Sequence, residues 1–239
     1  RFRVRRNGRR RPVSADLSHA NQWVFDLDNT LYPAECDLFA QIDVRMTRFV
    51  ADTLKLPDAE ARRLQKKYYA EHGTTLNGMM SVHGIDPMPY LDFVHDIDLT
   101  PIPELKELRS AIQDLPGRKI VFTNGSQKHA DRVVEKLGLT GVFDGYFGIE
   151  DAGFLPKPER VAFDRMHERF SITPDEAVMF EDLPRNLKTA YDMGYTTVLV
   201  HSEKDWSHEP EGARPAGAQD AADHIHHLTD CLTTFLKAA

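Results

Sequence analysis

Asp26 and Asp28, separated by one residue, are the first groups in the chain whose type and spacing suggest chemistry. In an extended segment, residues two apart point to the same side. Both carboxylates then face one site, where they repel unless a cation joins them. A second acidic pair, Glu181 and Asp182, follows much later. Asp26, Asp28 and Asp182, with Glu181 beside them, make an all-oxygen set of the kind that suits Mg²⁺. Thr123, Asn124 and Gly125 add a hydroxyl, an amide and a point where a ligand can approach the backbone closely. Lys157, directly before Pro158, supplies an ammonium able to neutralise a phosphate. Each has a plainer reading when taken alone. An Asp or a Thr-Asn pair can cap a helix or close a turn, and a Lys is commonly solvated. Their convergence on one place is what argues for a site.

That convergence depends on the elements that carry them. Short apolar runs alternate with longer amphipathic ones. The runs 22–26, 119–123, 146–149, 177–181 and 196–200 read as buried strands. The intervals 36–54, 58–71, 87–95, 104–115, 128–137, 159–169, 185–193 and 221–237 read as helices, and 203–219 as a loop rich in Gly, Pro and charge. Strands rich in Val, Ile and Phe and separated by helices predict an α/β fold, a Rossmann-like parallel sheet with helices on both faces. Ligands of such sheets bind beyond the carboxyl ends of the strands, and there the singled-out residues fall. No strand is expected between Leu31 and Pro101. The chain therefore divides into a basic tail over 1–20, expected to be disordered, an α/β core over 21–31 and 101–239, and an all-helical cap over 32–100 inserted after the first strand.

Composition narrows the class. The 239 residues are 41% hydrophobic and 28% charged, enough apolar material for a sizeable core. No apolar run approaches the ~18 residues of a membrane span, and no secretory leader is read. Cys36 and Cys231 make no disulfide framework or zinc cluster, so a reducing cytoplasm is the expected compartment. The net charge of −7 hides an asymmetry, because the first twelve residues hold seven arginines and no acid. The rest is acidic and a poor match for nucleic acid. His129, His167 and the cluster His224, His226 and His227 have no carboxylate or cysteine company and are read as solvated rather than metal-binding.

At this point the sequence resembles the haloacid dehalogenase superfamily of phosphohydrolases. The D-x-D-x-T motif is Asp26 to Thr30, the Thr closing the second strand is Thr123, the Lys is Lys157 and the acidic pair is Glu181-Asp182. Within it, DLDNTLYP (26–33), TNGS (123–126), EDLPRN (181–186) and YYAEHGTTLNGM (68–79) resemble the pyrimidine 5′-nucleotidase family. Leu183 departs from that family's more usual Ser. The likeness covers roughly 22–200. It implies a Mg²⁺-dependent phosphomonoesterase acting on nucleoside 5′-monophosphates of the UMP or CMP type. Asp26 would be the nucleophile and Asp28 the acid/base. Thr123, Asn124 and Gly125 would hold the phosphate, and Lys157 would neutralise it and orient Asp26. The metal would sit on Asp26, Asp28 (through its backbone carbonyl), Asp182 and Glu181. The dehalogenases that name the superfamily lack an acid/base carboxylate at the position of Asp28, so Asp28 argues for phosphate-ester chemistry. Tyr32, His72, Thr74, Thr75 and Asn77 are candidates for meeting the base. Alternatives are a phosphatase for pyridoxal phosphate, a sugar phosphate or a purine monophosphate, a phosphomutase, or a non-catalytic protein binding through the arginine arm. The partner implied is a small phosphate ester, with no membrane.

Overall fold

The computed structural model describes residues 16–202 and 216–239, so the arginine-rich segment and most of the 203–219 loop lie outside the described residues. Six parallel strands form one sheet: β1 (Gln22–Phe25), β2 (Arg118–Phe122), β3 (Gly145–Phe147), β4 (Ala177–Glu181), β5 (Thr196–Val200) and β6 (His227–Thr229). Their order is β3-β2-β1-β4-β5-β6, with β1 between β2 and β4. The α/β parallel sheet expected from the alternation is the architecture found.

Side chains of successive strand residues leave opposite faces, and the core divides accordingly. Trp23, Phe25, Val121, Val178 and Phe180 pack on one face. Helices α5 (Lys106–Gln113), α6 (Gln127–Lys136) and α9 (Leu232–Ala238) cover it with Leu108, Ile112, Ala130, Val133 and Leu236. Val24, Ile120, Phe122, Met179 and Leu199 pack on the other face, under Ala162, Phe163 and Met166 of α7 (Arg160–Phe170) and Leu187 and Ala190 of α8 (Pro184–Met193). The inner strands β1, β2, β4 and β5 are largely buried on both faces, which is why they read as continuous apolar runs.

Between β1 and β2 come α1 (Leu38–Leu54), α2 (Asp58–His72), α3 (Thr75–His83) and α4 (Pro87–Val94). They have a small core of their own, Val50, Ala51, Ala61, Tyr68 and Met79. Leu38, Ile42, Leu76, Tyr90, Leu91 and Val94 join the main core. Side chains cap the shorter helices. Thr74 accepts from Asn77 N–H at α3, Asp86 from Met88 N–H at α4, and Ser126 from His129 N–H at α6.

Two elements differ from expectation. Helix α3 falls where none is predicted. Its nine residues include Gly78 and are too short for periodicity to show. The single helix expected over 221–237 is instead β6 followed by α9. Val198 to Val200 of β5 pair with His227 to Thr229, and Thr197 N–H and Oγ1 meet His226 Nδ1. A three-residue edge strand owes its existence to that partner, which no local window contains. No helix among the described residues is long and apolar enough to cross a membrane.

Candidate active site

Strand register assembles the site. Phe25 lies opposite Val121 on one side and Phe180 on the other. The next residue, Asp26, is thereby brought level with Phe122 and Glu181. Lys157 reaches this point from the loop before α7. Its Nζ donates to Asp26 Oδ1 at 2.6 Å, Glu181 Oε2 at 2.8 Å and the Phe122 carbonyl at 2.8 Å. All three donor positions of the ammonium are used, and its side chain is 1% exposed. Asn124 fixes the loop that delivers it. Its amide donates to the Lys157 carbonyl at 3.1 Å, and Lys157 N–H donates to Asn124 Oδ1 at 2.7 Å. The Asn124 side chain therefore holds Lys157's backbone.

The carboxylates differ sharply in their surroundings. Both oxygens of Glu181 are occupied. Oε1 accepts from the N–H groups of Asp182 and Leu183, and Oε2 from Lys157 and Asn186 Nδ2. Burial pushes Glu181 up, but Lys157 and these hydrogen bonds outweigh it and hold it below its usual value. Asp26 is pushed up to about 7, first by burial and then by the Glu181 charge, against the pull of Lys157. Asp182 is raised well above its usual value by burial, Glu181 and Asp26. Three buried carboxylates thus share one ammonium.

These groups fit a divalent cation. Asp26, Glu181 and Asp182 offer oxygens that lie within 4.8 Å of one another. The neighbouring buried oxygens Asn29 Oδ1 and Asn186 Oδ1 have no hydrogen-bond partner. An oxygen-only set short of positive charge suits a hard ion such as Mg²⁺. With Glu181 already accepting four hydrogen bonds, Asp26 and Asp182 are the side chains with capacity left.

Asp28 is treated differently. Its Oδ1 accepts from the Tyr32 hydroxyl at 2.6 Å and from His129 Nε2 at 2.8 Å. Burial raises its pKa, but His129 and then Tyr32 bring it down to about 2. Thr123 Oγ1 accepts from Gly125 N–H at 2.9 Å, leaving its own O–H to donate. A Cβ added at Gly125 would stand 3.2 Å from His129 Cδ2, 3.3 Å from Thr123 Oγ1 and 3.6 Å from Asp28 Oδ2. The missing side chain keeps that approach open.

Over these groups lies a cavity of about 160 Å³. Asp26, Asp28, Thr123, Asn124, Gly125, Lys157, Glu181 and Asp182 line it on the sheet side, and Phe39, Ile42, Met46 and Leu91 add apolar wall from the helices. Of the five positions expected to meet a base, Thr74 and Thr75 are in the wall, whereas Tyr32, His72 and Asn77 are not. Tyr32 is buried under Asp28, His72 stacks edge-on against Tyr68, and Asn77 Nδ2 donates to the His72 carbonyl.

The geometry adds residues that sequence reasoning passed over. His129, read as solvated, is fully buried against Asp28. Its position in the first turn of α6 gives no local sign of that contact. Arg185 and Tyr69 line the cavity and bind each other, Arg185 Nη2 donating to the Tyr69 hydroxyl. Asp43 and Gln65 are in the wall as well, with Gln65 Nε2 donating to Asp43 Oδ1. Three of the other histidines singled out also have hydrogen-bond partners. His167 meets the Tyr195 hydroxyl, His224 the Pro184 carbonyl and His226 the β5 backbone, and none of them joins a metal-binding group among the described residues.

Comparison with known proteins places the chain in a family. A family model for haloacid dehalogenase-like hydrolases matches residues 23–194. Phosphate metabolism protein 8 of Saccharomyces cerevisiae is 29% identical over 205 residues, covering 78% of this chain and 63% of that protein. Enolase-phosphatase E1 of Frankia alni is 37% identical over 86 residues, covering 35% of this chain and 36% of that one. The chain thus spans less than two thirds of the length of either relative. A HAD phosphatase from Thermococcus onnurineus superposes with a TM-score of 0.58 at 18% identity, over 87% of this chain and 92% of that one. L-2-haloacid dehalogenase from Xanthobacter autotrophicus gives 0.56 at 13%, over 91% and 97%. At these identities the structural likeness is one of fold.

Proposed function

Because the chain belongs to the haloacid dehalogenase-like hydrolase family, we propose that it is a phosphomonoesterase whose substrates are nucleoside 5′-monophosphates, pyrimidine nucleotides of the UMP and CMP type foremost. The observation that carries this reading is the pairing of Asp26, bonded to Lys157, with Asp28 two residues on, bonded instead to Tyr32 and His129. Two carboxylates in one cavity with opposite environments suit two roles.

Asp26 attacks phosphorus and forms an aspartyl-phosphate. Lys157 holds Asp26 Oδ1, which leaves Oδ2 to attack, and carries positive charge to the phosphoryl oxygens. The Thr123 hydroxyl donates to the same oxygens. Asp28 gives a proton to the departing alkoxide and takes one from the water that opens the intermediate. His129 and Tyr32 draw Asp28 down to about 2, which favours the carboxylate that the second half needs. An arriving phosphate is a like charge beside it and favours the protonated form that the first half needs. Mg²⁺, held by Asp26, Asp182 and the Asp28 carbonyl, would offset the repulsion between carboxylates and phosphate. Glu181 would fix Lys157 and the turn after β4 rather than ligate. Helices α1 to α4 would act as the cap that excludes water, with Thr74 and Thr75 facing the leaving group.

The pyrimidine preference is supported by the likeness of the TNGS and cap segments, and the phosphate-ester chemistry by the printed names of the curated relatives. The test is phosphate release from UMP, CMP, AMP, GMP, pyridoxal phosphate and glucose phosphates, with Mg²⁺ and with chelator. Preference for UMP or CMP that disappears with chelator is the expected result. Preference for another ester would keep the chemistry and discard the substrate, and phosphate moved within a sugar phosphate would mark a mutase. Asp26→Asn should lower turnover by about 10³-fold or more with the fold retained. Normal turnover would sink the assignment.

A further inference from the structure

Asp28 is held by an arrangement that its catalytic role alone does not require. The His129 side chain is fully buried, and its Nε2 lies 2.8 Å from Asp28 Oδ1. The same Oδ1 accepts the Tyr32 proton, so Nε2 is the ring nitrogen that donates to it, and Nδ1 is left without a partner. The plane of the ring is set by a second imidazole. His95, directly after α4, stacks on His129 with centroids 4.4 Å apart and planes 13° from parallel. Ser126 ties the two together. Its hydroxyl oxygen accepts from His129 N–H and lies 3.0 Å from His95 Nδ1. On the other side of Asp28, the Tyr32 hydroxyl donates to the same Oδ1. Both fixed donors therefore meet one oxygen. The other, Oδ2, is the one that borders the space left by Gly125, beside Thr123 Oγ1.

We propose that His129 is a positioning residue for the acid/base carboxylate: by holding Asp28 Oδ1, with its ring stacked on a His95 that Ser126 holds in place, it turns Oδ2 to the leaving oxygen. The proposal rests on the phosphomonoesterase reading. In the first step the Asp26–phosphorus bond forms, the phosphorus–alkoxide bond breaks with its electron pair going to the leaving oxygen, and the proton on Asp28 Oδ2 moves to that oxygen. In the second, water oxygen bonds to phosphorus, its proton goes to Asp28 Oδ2, and the bond to Asp26 breaks. His129 keeps its own proton throughout. Its contribution should scale with how much the leaving group needs protonation.

That scaling is the test. CMP departs as an alkoxide and needs the proton. 4-Nitrophenyl phosphate departs as a stabilised phenolate and does not. kcat/KM reports the steps through leaving-group departure. His129→Leu should lower kcat/KM for CMP by about 100-fold, and for 4-nitrophenyl phosphate by less than about threefold. His129→Gln, whose amide can occupy the place of Nε2, should recover most of the loss, and the shorter His129→Asn should not. Equal losses on both esters, or none on either, would overturn the proposal. If His129→Leu does not fold, the Gln and Asn variants, matched by their melting temperatures, decide it: identical kcat/KM values for CMP would refute positioning. A wild-type chain that releases phosphate from both esters while the variants fail to discriminate refutes this inference only. One that hydrolyses neither refutes the phosphomonoesterase reading, and the inference falls with it.

Discussion

Replacing Lys157 with methionine isolates the charge that holds the site together. The two side chains are similar in length, so packing against Phe122 is largely kept while the ammonium is lost. Lys157 is bonded to two carboxylates, Asp26 and Glu181, and neither side chain of the Lys157–Glu181 pair exceeds 1% exposure. Removing one partner of such a pair leaves buried charge uncompensated, at a cost of about 3–5 kcal/mol. In a chain of this size each kcal/mol corresponds to about 2–4 °C, so melting should fall by about 6–20 °C near neutral pH in chelator. The sign of the pH effect follows from linkage. Asp26 already stands at about 7 with Lys157 lowering it. Without Lys157 the folded state holds protons on Asp26 and Glu181 at a pH where the unfolded chain has lost them. A state that binds more protons gains as pH falls. The gap between Lys157→Met and wild type should therefore be widest near about pH 8 and shrink toward about pH 5. Melting curves of both proteins across that range, in chelator, are the assay. A gap below about 1 kcal/mol, or one that does not change with pH, would refute the reasoning, because it would mean Lys157 is not compensating buried charge.

Two other perturbations probe the metal site and the helical segment. Mg²⁺ at a hundredfold excess over its dissociation constant should stabilise wild type by about 2.7 kcal/mol, and Asp182→Asn should abolish most of that gain. The same variant should melt above wild type in chelator, since Asp182 is held far above its usual value by Glu181 and Asp26 as well as by burial; equal Mg²⁺ responses in the two proteins would exclude Asp182 as a ligand. Gly78→Ala would place a Cβ 2.3 Å from Tyr68 Cβ and Cγ, where α3 meets α2. Overpacking of this kind costs about 1–3 kcal/mol, so melting should fall by about 2–12 °C, and an unchanged melting temperature would contradict the close approach of those helices.

Some of the molecule is readable along the chain. The apolar runs around Val24, Val121, Met179 and Leu199 are buried on both faces, and such strands announce themselves by composition alone. Asp26, Thr123 and the Glu181-Asp182 pair follow directly on those runs or close them, so a parallel sheet had to bring them to one edge. Lys157 carried its signal in its neighbours, as the residue before Pro158 at a helix entry.

Other features belong only to the folded chain. Helix α3 has a capping Thr74 but nine residues and a glycine, and its place is set by Leu76 and Met79 packing onto neighbouring elements. Strand β6 exists because β5 offers it a ladder, across nearly thirty residues of intervening chain. The different states of two aspartates with the same sequence context were likewise decided by distant groups. Lys157 lies 131 residues from Asp26, and His129 lies 101 residues from Asp28. Residue types and spacing determined which carboxylates would meet, because strand periodicity is local. Which one would be neutralised, which one oriented, and that a histidine read as solvated would be buried between Asp28 and His95, was decided by tertiary structure. Burial, charge pairing and ring stacking act through space, and no stretch of sequence contains the distances on which they depend.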